Sequence, residues 1–291
     1  MPATRVNFAL PAHAWDCHTH IFGNPARFPF AARRGYTPPP AEPADMMAFH
    51  RALGIERVVI VTPSVYGTDN SATAYGLQQI GPAARGIAVI DDQTSDRDLA
   101  ALHRAGVRGI RLNLASAGIT DPAEGRRRFT RVAKRMKARG WHIQIFARLD
   151  VVAAIKDLVL EAPVPVVFDH FGGAKAALGV EQPGFAELLA MVKSGKAYVK
   201  ISGAYRASTL APTYADATPL ARSLIAANAD RILWGTDWPH PDGDSGRPFT
   251  ELSQPVPVDD GRLLNQLPVW TRSAATRQKI LAENPARLYL E

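Results

Sequence analysis

The chain has 291 residues, which is enough for one large α/β domain or two ordinary ones. Its hydrophobic content of 46% and charged content of 21% are those of a globular protein. The 34 basic and 27 acidic residues leave a net charge of +7, but the arginines are scattered apart from one short run at 125–129. This distribution excludes the clustered basic and aromatic pattern of a nucleic-acid-binding protein, and we expect the charge to attract an anionic substrate instead.

A single cysteine, Cys17, rules out an internal disulfide and fits a reducing compartment. The sequence shows no basic-then-apolar leader and no apolar run of membrane length. We therefore expect a cytoplasmic protein, monomeric or homodimeric, with no membrane partner.

Short apolar runs rich in β-formers alternate with amphipathic patterns along the whole chain, and several of these patterns begin at Ser, Asp or Asn and end at Gly. Eight strands, each followed by a helix, predict a (β/α)8 TIM barrel as a single domain over 1–291. A doubly wound open sheet is the alternative, but it would have fewer strands and a Gly-rich first turn. The predicted strands are 14–21, 57–63, 85–91, 107–113, 141–147, 164–170, 197–203 and 231–237.

Two long proline-rich segments, 24–43 and 239–261, each follow a predicted strand. Segments after barrel strands lie at the C-terminal face, where the active sites of such barrels are found. We expect both segments to be ordered loops over the mouth of the barrel.

The first predicted strand carries the motif WDCHTHIFG at 15–23. Alternate residues of a strand point to the same side, so His18 and His20 should project together, with Asp16 on the same face and Cys17 turned away. Two imidazoles on one face can bind a metal ion, polarise a carbonyl or hydrogen-bond to each other.

Polar residues also follow the other predicted strands. Each one alone could be a hydrogen-bonded loop residue or a turn cap, but the barrel would bring all of them to a single mouth. They are Ser64, Tyr66, Arg108, Arg111, Asn113, Arg148, Asp169, His170, Lys200, Ser202, Tyr205, Arg206, Asp237 and His240.

Together these stretches resemble the amidohydrolase superfamily (amidohydrolase family 2), in particular the branch that contains 2-pyrone-4,6-dicarboxylate lactonase. The similarity extends in order over nearly the whole chain. The matching stretches are DCHTHIFG, RRGYTPPPA, GTDNSAT, RGIAVID, VRGIRLN, FDHFGG, ILWGTDWPHP and NPARLY.

The resemblance implies a distorted (β/α)8 barrel that hydrolyses an activated cyclic ester. Asp237 matches the catalytic aspartate, and His18, His20 and His170 match the catalytic histidines. The substrate-binding positions that carry over are Tyr36, Ser64, Arg111, Arg206 and Tyr66, the last standing where a histidine is usual.

Three departures from the dicarboxylate lactonase concern arginines that would bind carboxylates. Ser116 and Ala117 stand where it has a Lys-Arg pair, Gly173 stands where it has an arginine, and Arg148 appears where it has none. Arginine–carboxylate pairs in a desolvated pocket are strong and directional. We therefore expect a lactone with one carboxylate, or a sugar-acid lactone, as the substrate.

Many amidohydrolases bind divalent metal ions, but parts of the usual ligand set are missing here. Strand four offers Arg111 in place of a lysine or carboxylate, and His142 lies at the wrong end of strand five. A single zinc ion could still be held by His18, His20, His170 and Asp237. A nearby guanidinium disfavours a metal ion, and the lactonase of the resemblance works without one, so we expect no required cofactor.

In the predicted mechanism, Asp237 takes a proton from water, and His18, His20 and His170 stabilise the carbonyl oxygen as it becomes negative. The remaining predicted residues bind a substrate carboxylate or shape the pocket. Two alternatives stay open: a sugar-acid lactone isomerase, and a zinc-dependent amidohydrolase or decarboxylase. The carboxylate-binding residues are Arg111, Arg206 and Arg148, and the pocket-shaping residues are Tyr36, Ser64 and Tyr66.

Overall fold

The computed structural model describes residues 3–243 and 248–290. Its centre is a sheet of eight parallel strands in sequential order, which forms a nearly closed barrel and confirms the predicted (β/α)8 fold. All eight predicted strands are present. They are β1 (Trp15–Thr19), β2 (Arg57–Val61), β3 (Ala84–Ala88), β4 (Val107–Asn113), β5 (His142–Phe146), β6 (Val166–Phe168), β7 (Ala197–Ser202) and β8 (Ile232–Gly235).

Helices connect the strands, and their ends follow local chemistry. Ser95 accepts a hydrogen bond from the backbone N–H of Asp98, and Gly54 adopts a left-handed φ of 80° where the first helix ends. Among the described residues, none of the helices has the length and apolar character needed to span a bilayer. The helices are α1 (Pro43–Leu53), α2 (Ser71–Ile80), α3 (Asp96–Arg104), α4 (Pro122–Lys137), α5 (Leu149–Ala154), α6 (Lys156–Leu160), α7 (Phe185–Lys193), α8 (Ala204–Ala207), α9 (Thr218–Ala227), α10 (Asp260–Leu264), α11 (Leu267–Trp270), α12 (Ala274–Gln278) and α13 (Asn284–Tyr289).

The strands bury two separate apolar groups, one on each face of the sheet. The outer group packs against the surrounding helices and includes Ile143, Val199 and Ile232. The smaller inner group fills the barrel and includes Cys17 and Tyr289, the latter stacked on Trp15 with ring centroids 5.7 Å apart. The inner apolar layer leaves the C-terminal end of the barrel to polar side chains.

The contact between β1 and β8 closes the barrel and corrects one prediction. The pairing of β1 with β2 shifts register between Asp16 and Thr19, so strict alternation fails there. The Asp16 carboxylate accepts hydrogen bonds from the backbone N–H groups of His18 and Thr236, and His50 of α1 lies 3.1 Å from it. Asp16 therefore supports the seam of the barrel and does not project beside the two histidines.

The two predicted mouth loops contact each other above the barrel. Ser253 donates its backbone N–H to the carbonyl oxygen of Thr37, and Thr37 forms an isolated bridge with Leu252. Residues 244–247 of the second predicted loop lie outside the described residues. The prediction that 1–291 forms one domain stays a prediction.

Candidate active site

Asp237, which follows β8, holds its two carboxylate oxygens in different surroundings. Arg206 Nε donates to Oδ2 at 2.5 Å, and the Tyr205 hydroxyl donates to the same atom at 2.6 Å. Oδ1 has no hydrogen-bond partner among the described residues and lies 3.3 Å from His20 Nε2 and 3.6 Å from His18 Nε2. One oxygen is thus fixed, and the other faces the histidine pair.

His170 completes the cluster from the end of β6. Its Nε2 atom lies 3.9 Å from Asp237 Oδ2, and its ring lies 4.6 Å from that of His18. Both Asp237, at φ 67°, and His170, at φ 47°, adopt the left-handed backbone region that non-glycine residues rarely occupy. Such strain is found where a fold must aim particular side chains, as here. The structure brings together all four predicted catalytic residues.

The orientation of His20 is set by a backbone carbonyl. Its Nδ1 atom lies 2.8 Å from the carbonyl oxygen of Val61 at the end of β2. A carbonyl oxygen can only accept, so Nδ1 carries a proton and a neutral His20 presents a lone pair at Nε2. That lone pair faces Asp237 Oδ1.

Below the cluster lies a buried polar layer built from β4, β5, β6 and β7. Asp169 Oδ2 accepts from Arg111 Nε at 3.1 Å and from Gln144 Nε2 at 3.0 Å. Lys200, fully buried, donates to Gln144 Oε1 at 2.6 Å and lies 3.3 Å from His18 Nδ1. This layer supports His18 from beneath.

The charged groups of the site shift one another's pKa. Burial alone would raise the pKa of Asp237, but Arg206 and His170 outweigh it and hold that pKa well below its usual range. Burial would likewise raise the pKa of Asp169, but His18, Lys200 and Arg111 hold it low. Burial lowers the pKa of His170 to about 4 despite the opposing charge of Asp237. Near neutral pH the cluster therefore combines ionised carboxylates with a neutral His170.

A cavity of about 990 Å³ opens above the cluster. At its inner end, Phe146 lies with its ring centroid 5.4 Å from the guanidinium carbon of Arg111 and 6.0 Å from that of Arg206. Burial raises the pKa of Tyr36, in the cavity wall, to about 12, which leaves a protonated phenol there. The predicted site residues that line the cavity are His20, Tyr36, Ser64, Arg111, His170 and Arg206.

Two predicted substrate-binding residues lie elsewhere. Arg148 pairs with Asp150 at 2.8 Å, is 61% exposed, and does not line the cavity, because the chain turns into α5 directly after it. Tyr66 is buried beneath the first mouth loop, where its hydroxyl accepts from the backbone N–H of Gly23. The structure does not bring either side chain to the cavity.

The site also contains residues to which sequence reasoning gave no role. Gln144 points inward from β5 between Asp169 and Lys200, and only the register of three strands reveals this contact. Tyr205 was noted at a strand end, but its bond to Asp237 depends on the turn into α8. Behind Tyr205, His240 pairs with Asp260 of α10 at 3.0 Å.

The donor atoms of the cluster fit a divalent metal ion. His18, His20 and Asp237 each bring one ligand atom within 4.8 Å of the others, and His18 Nε2 and Asp237 Oδ1 have no hydrogen-bond partner among the described residues. The charges of the site disfavour a metal ion, since three cationic side chains already surround the carboxylates of Asp169 and Asp237. Those cations are Arg111, Lys200 and Arg206.

Comparison with known proteins identifies relatives that match almost the whole chain. This chain is 36% identical to a 4-sulfomuconolactone hydrolase of Rhizobium radiobacter, over 98% of this chain and 92% of that protein. It is 35% identical to a 2-pyrone-4,6-dicarboxylate hydrolase of Comamonas testosteroni, over 98% and 93% respectively. A D-galactarolactone isomerase of Agrobacterium fabrum (strain C58) is 29% identical, over 99% and 95%.

The family model described as amidohydrolase matches residues 15–290, from the first barrel strand to the last helix. That range contains the barrel, the cluster around Asp237 and the cavity above it. The resemblance inferred from the sequence is therefore confirmed: the chain belongs to the amidohydrolase family.

Proposed function

We propose that this chain is a lactone hydrolase that opens a small, carboxylated cyclic ester. The observation that carries the proposal is the buried Oδ1 atom of Asp237, which has no hydrogen-bond partner among the described residues and lies beside His18 and His20, the latter lining a cavity that also contains Arg111 and Arg206. Ester hydrolysis requires a general base and groups that polarise the carbonyl, and a buried carboxylate beside imidazoles can supply both. The arginines can bind an anionic substrate. Two relatives at 35% and 36% identity are named as hydrolases of such molecules.

In the proposed mechanism, Asp237 Oδ1 and His20 Nε2 bind the two protons of one water molecule. Both atoms are acceptors when His20 is neutral, and they lie 3.3 Å apart. The water oxygen attacks the lactone carbonyl carbon while Asp237 takes one of its protons. This assignment departs from the expectation that all three histidines donate to the carbonyl oxygen, because the Val61 carbonyl fixes the proton of His20 on Nδ1.

The carbonyl oxygen gains negative charge as the tetrahedral intermediate forms. We assign its stabilisation to His18 and His170, whose ring centroids lie 4.6 Å apart. Fixed donors in a buried site stabilise such charge without reorganisation. The intermediate then collapses, the carbon–oxygen bond of the ring breaks, and the departing oxygen takes the proton back from Asp237.

The substrate carboxylate is assigned to Arg111 and Arg206. Gly173 supports the restriction to one main carboxylate, because it has a left-handed φ of 83° and an added Cβ would lie 2.4 Å from the carbonyl oxygen of Ala147. An arginine therefore cannot occupy this position without moving the backbone. When a carboxylate shares the charge of Arg206, the pKa of Asp237 should rise toward the range of an effective base.

We propose that the reaction requires no metal ion. A metal ion would be held by His18, His20 and Asp237, with His170 nearby, and would supply Lewis-acid polarisation of the carbonyl and a more acidic water. The three cations around Asp169 and Asp237 make an added double positive charge unfavourable. Full activity after exhaustive chelation would support this proposal, and activity restored only by zinc would overturn it. Cytoplasmic location and a monomeric or homodimeric state stay predictions.

The decisive experiment is a pH-indicator assay over a panel of lactones, run with wild type and Asp237→Asn. The panel contains pyrone dicarboxylate, muconolactone-type and sugar-acid lactones. Hydrolysis creates a carboxylic acid, so it releases a proton. We expect release from a monocarboxylated lactone and its loss by at least 10³-fold in Asp237→Asn, with binding retained because the amide keeps the side-chain shape. Equal loss of binding would show that Asp237 is structural.

The D-galactarolactone isomerase relative favours a second candidate, transfer of the acyl group between hydroxyls of one sugar acid. The same cluster could deprotonate a substrate hydroxyl in place of water. Isomerisation releases no proton, so a sugar-acid lactone that changes by NMR while the indicator stays constant would establish this candidate.

A further inference from the structure

Lys200 lies inside the barrel with its ammonium group directly beneath His18. It is fully buried, and its Nζ atom lies 2.6 Å from Gln144 Oε1, 3.3 Å from His18 Nδ1 and 3.4 Å from Asp169 Oδ1. The first two contacts are hydrogen bonds of the ammonium group, and the third is an ion pair. Such a buried lysine has no access to the cavity and no assigned part in the reaction.

The contact with His18 has one direction when Lys200 is charged, and Asp169 Oδ1, 3.4 Å from the Lys200 Nζ atom, favours the charged form. A lysine ammonium has donors and no acceptor, so the Nδ1 atom of His18 must accept, which requires an unprotonated Nδ1. Asp169 Oδ1 lies 3.1 Å from the same nitrogen, but it forms no hydrogen bond of good geometry among the described residues. The other Asp169 oxygen is already bonded to Arg111 and Gln144. Lys200 is thus the partner that is aligned with His18.

We propose that Lys200 is a positioning residue that holds neutral His18 in the tautomer with its proton on Nε2. Nε2 is the atom that faces Asp237, at 3.6 Å from its Oδ1 atom. The proposed tautomer makes His18 a permanent hydrogen-bond donor toward the reacting carbonyl and removes the lone pair through which it would bind a metal ion. The part of this inference that concerns the carbonyl rests on the proposed function.

The arrangement complements that of His20. A carbonyl acceptor at Nδ1 leaves His20 with an Nε2 lone pair, whereas a lysine donor at Nδ1 leaves His18 with an Nε2 proton. Two histidines from one motif thereby obtain opposite roles, one accepting from water and one donating to the substrate. An Nδ1 atom that accepts from Lys200 bears no proton, so the His18 ring is neutral in this arrangement.

The direct test is ¹⁵N NMR of the histidine rings in metal-free wild type near neutral pH, with the His18 signal assigned by its loss in His18→Gln. We expect the proton on Nε2. A proton on Nδ1 would overturn the inference and would mean that Asp169 sets the tautomer. Wild type alone decides this point, whatever the folding of any variant.

Lys200→Met provides the second test, since it keeps the length of the side chain but removes the donors. Asp169 should then capture the proton at Nδ1, the arrangement typical of metal-binding histidines. We expect the affinity for zinc, measured by titration of the metal-free protein, to rise at least ~10-fold. With a working substrate, kcat should fall ~10²-fold with little change in KM.

Lys200→Arg, which retains donors, should restore much of kcat and the weak binding of zinc. Tyr198→Phe serves as the matched control, because Tyr198 is a buried neighbour on the same inner face of β7. It should leave the tautomer and zinc affinity unchanged. If His18 kept its proton on Nε2 in Lys200→Met, the inference would be wrong. If wild type opens no lactone while His18 is protonated at Nε2, the proposed function fails and the tautomer assignment stands.

Discussion

At the scale of single residues, the site depends on which atom of each side chain is available. The spacing of His18 and His20 predicted a pair on one face, but their contrasting partners at Nδ1 come from β2 and β7. Asp237 was predicted from its motif, whereas the bonds that fix its Oδ2 atom depend on Tyr205 and Arg206 folding back over it. Sequence therefore predicts the residue types of the cluster, and the fold determines their roles as donor or acceptor.

Arg111→Met tests the proposed carboxylate site at this scale. Arg111 Nε is bonded to Asp169, so the terminal nitrogens are the groups assigned to the substrate. Removing a charge-assisted hydrogen bond costs roughly 1.5–3 kcal/mol, which predicts an increase in KM for anionic lactones of about 10- to 100-fold with a smaller effect on kcat. Steady-state kinetics measure both constants, and an unchanged KM would contradict the assignment.

Arg148→Met is the variant to compare with Arg111→Met, since the sequence predicted that Arg148 also binds a carboxylate of the substrate. The structure places it on the surface, paired with Asp150. Exposed ion pairs of this kind contribute little, so we expect KM and stability close to those of wild type. A large rise in KM would show that Arg148 reaches the substrate after all.

At the scale of elements, the strands and helices were predictable because their periodicity and caps are local. The position of Asp16 at the β1–β8 seam was not, because the pairing of β1 with β2 shifts register between Asp16 and Thr19 and breaks the alternation on which the prediction depended. Asp16 accepts hydrogen bonds from the backbone N–H groups of His18 and Thr236, each next to or at a predicted catalytic position. A charged side chain thus completes the barrel where the site is built.

Asp16→Ala should reveal this support. It would leave two buried backbone N–H groups and His50 without their acceptor, which predicts a loss of about 2–4 kcal/mol in the free energy of unfolding. Urea denaturation measures this loss. Asp92→Ala is the control, since Asp92 forms an exposed ion pair with Arg131 and its removal should cost less than about 0.5 kcal/mol. Similar losses in both variants would refute the role of the seam.

At the scale of the whole molecule, the barrel concentrates ionisable groups in its interior. The sequence placed Asp169 and Lys200 among the polar residues at the ends of predicted strands. It did not predict that both would meet Gln144, because this depends on the stagger of three strands. The apolar inner layer around Tyr289 closes the opposite end of the barrel. Charges buried in this way link the stability of the whole fold to pH.

Three buried histidines give that link one sign, and His240 opposes it, because Asp260 raises the pKa of His240 against the effect of burial. Burial is the main cause that lowers the pKa of His142 to about 3, that of His170 to about 4, and that of His18 well below its usual value. In the unfolded chain each would titrate near pH ~6.5. Below that pH the unfolded state binds protons that the folded state does not bind. The free energy of unfolding is therefore highest above pH ~6.5 and decreases as the pH falls. Asp169 and Asp237 contribute only below pH ~4, where unfolded carboxyl groups titrate.

Three such histidines predict a loss of about 2–4 kcal/mol in the free energy of unfolding between pH 6 and pH 5, measurable by urea denaturation at each pH. His142→Gln isolates one of them, because His142 begins β5 at the end of the barrel away from the cavity. This variant should reduce the slope of stability against pH, since it removes one of the groups that bind a proton in the unfolded state only. Stability that stays constant from pH 7 to pH 5 in wild type would mean that the histidines are protonated within the folded barrel. The neutral rings on which the proposed mechanism depends would then be absent.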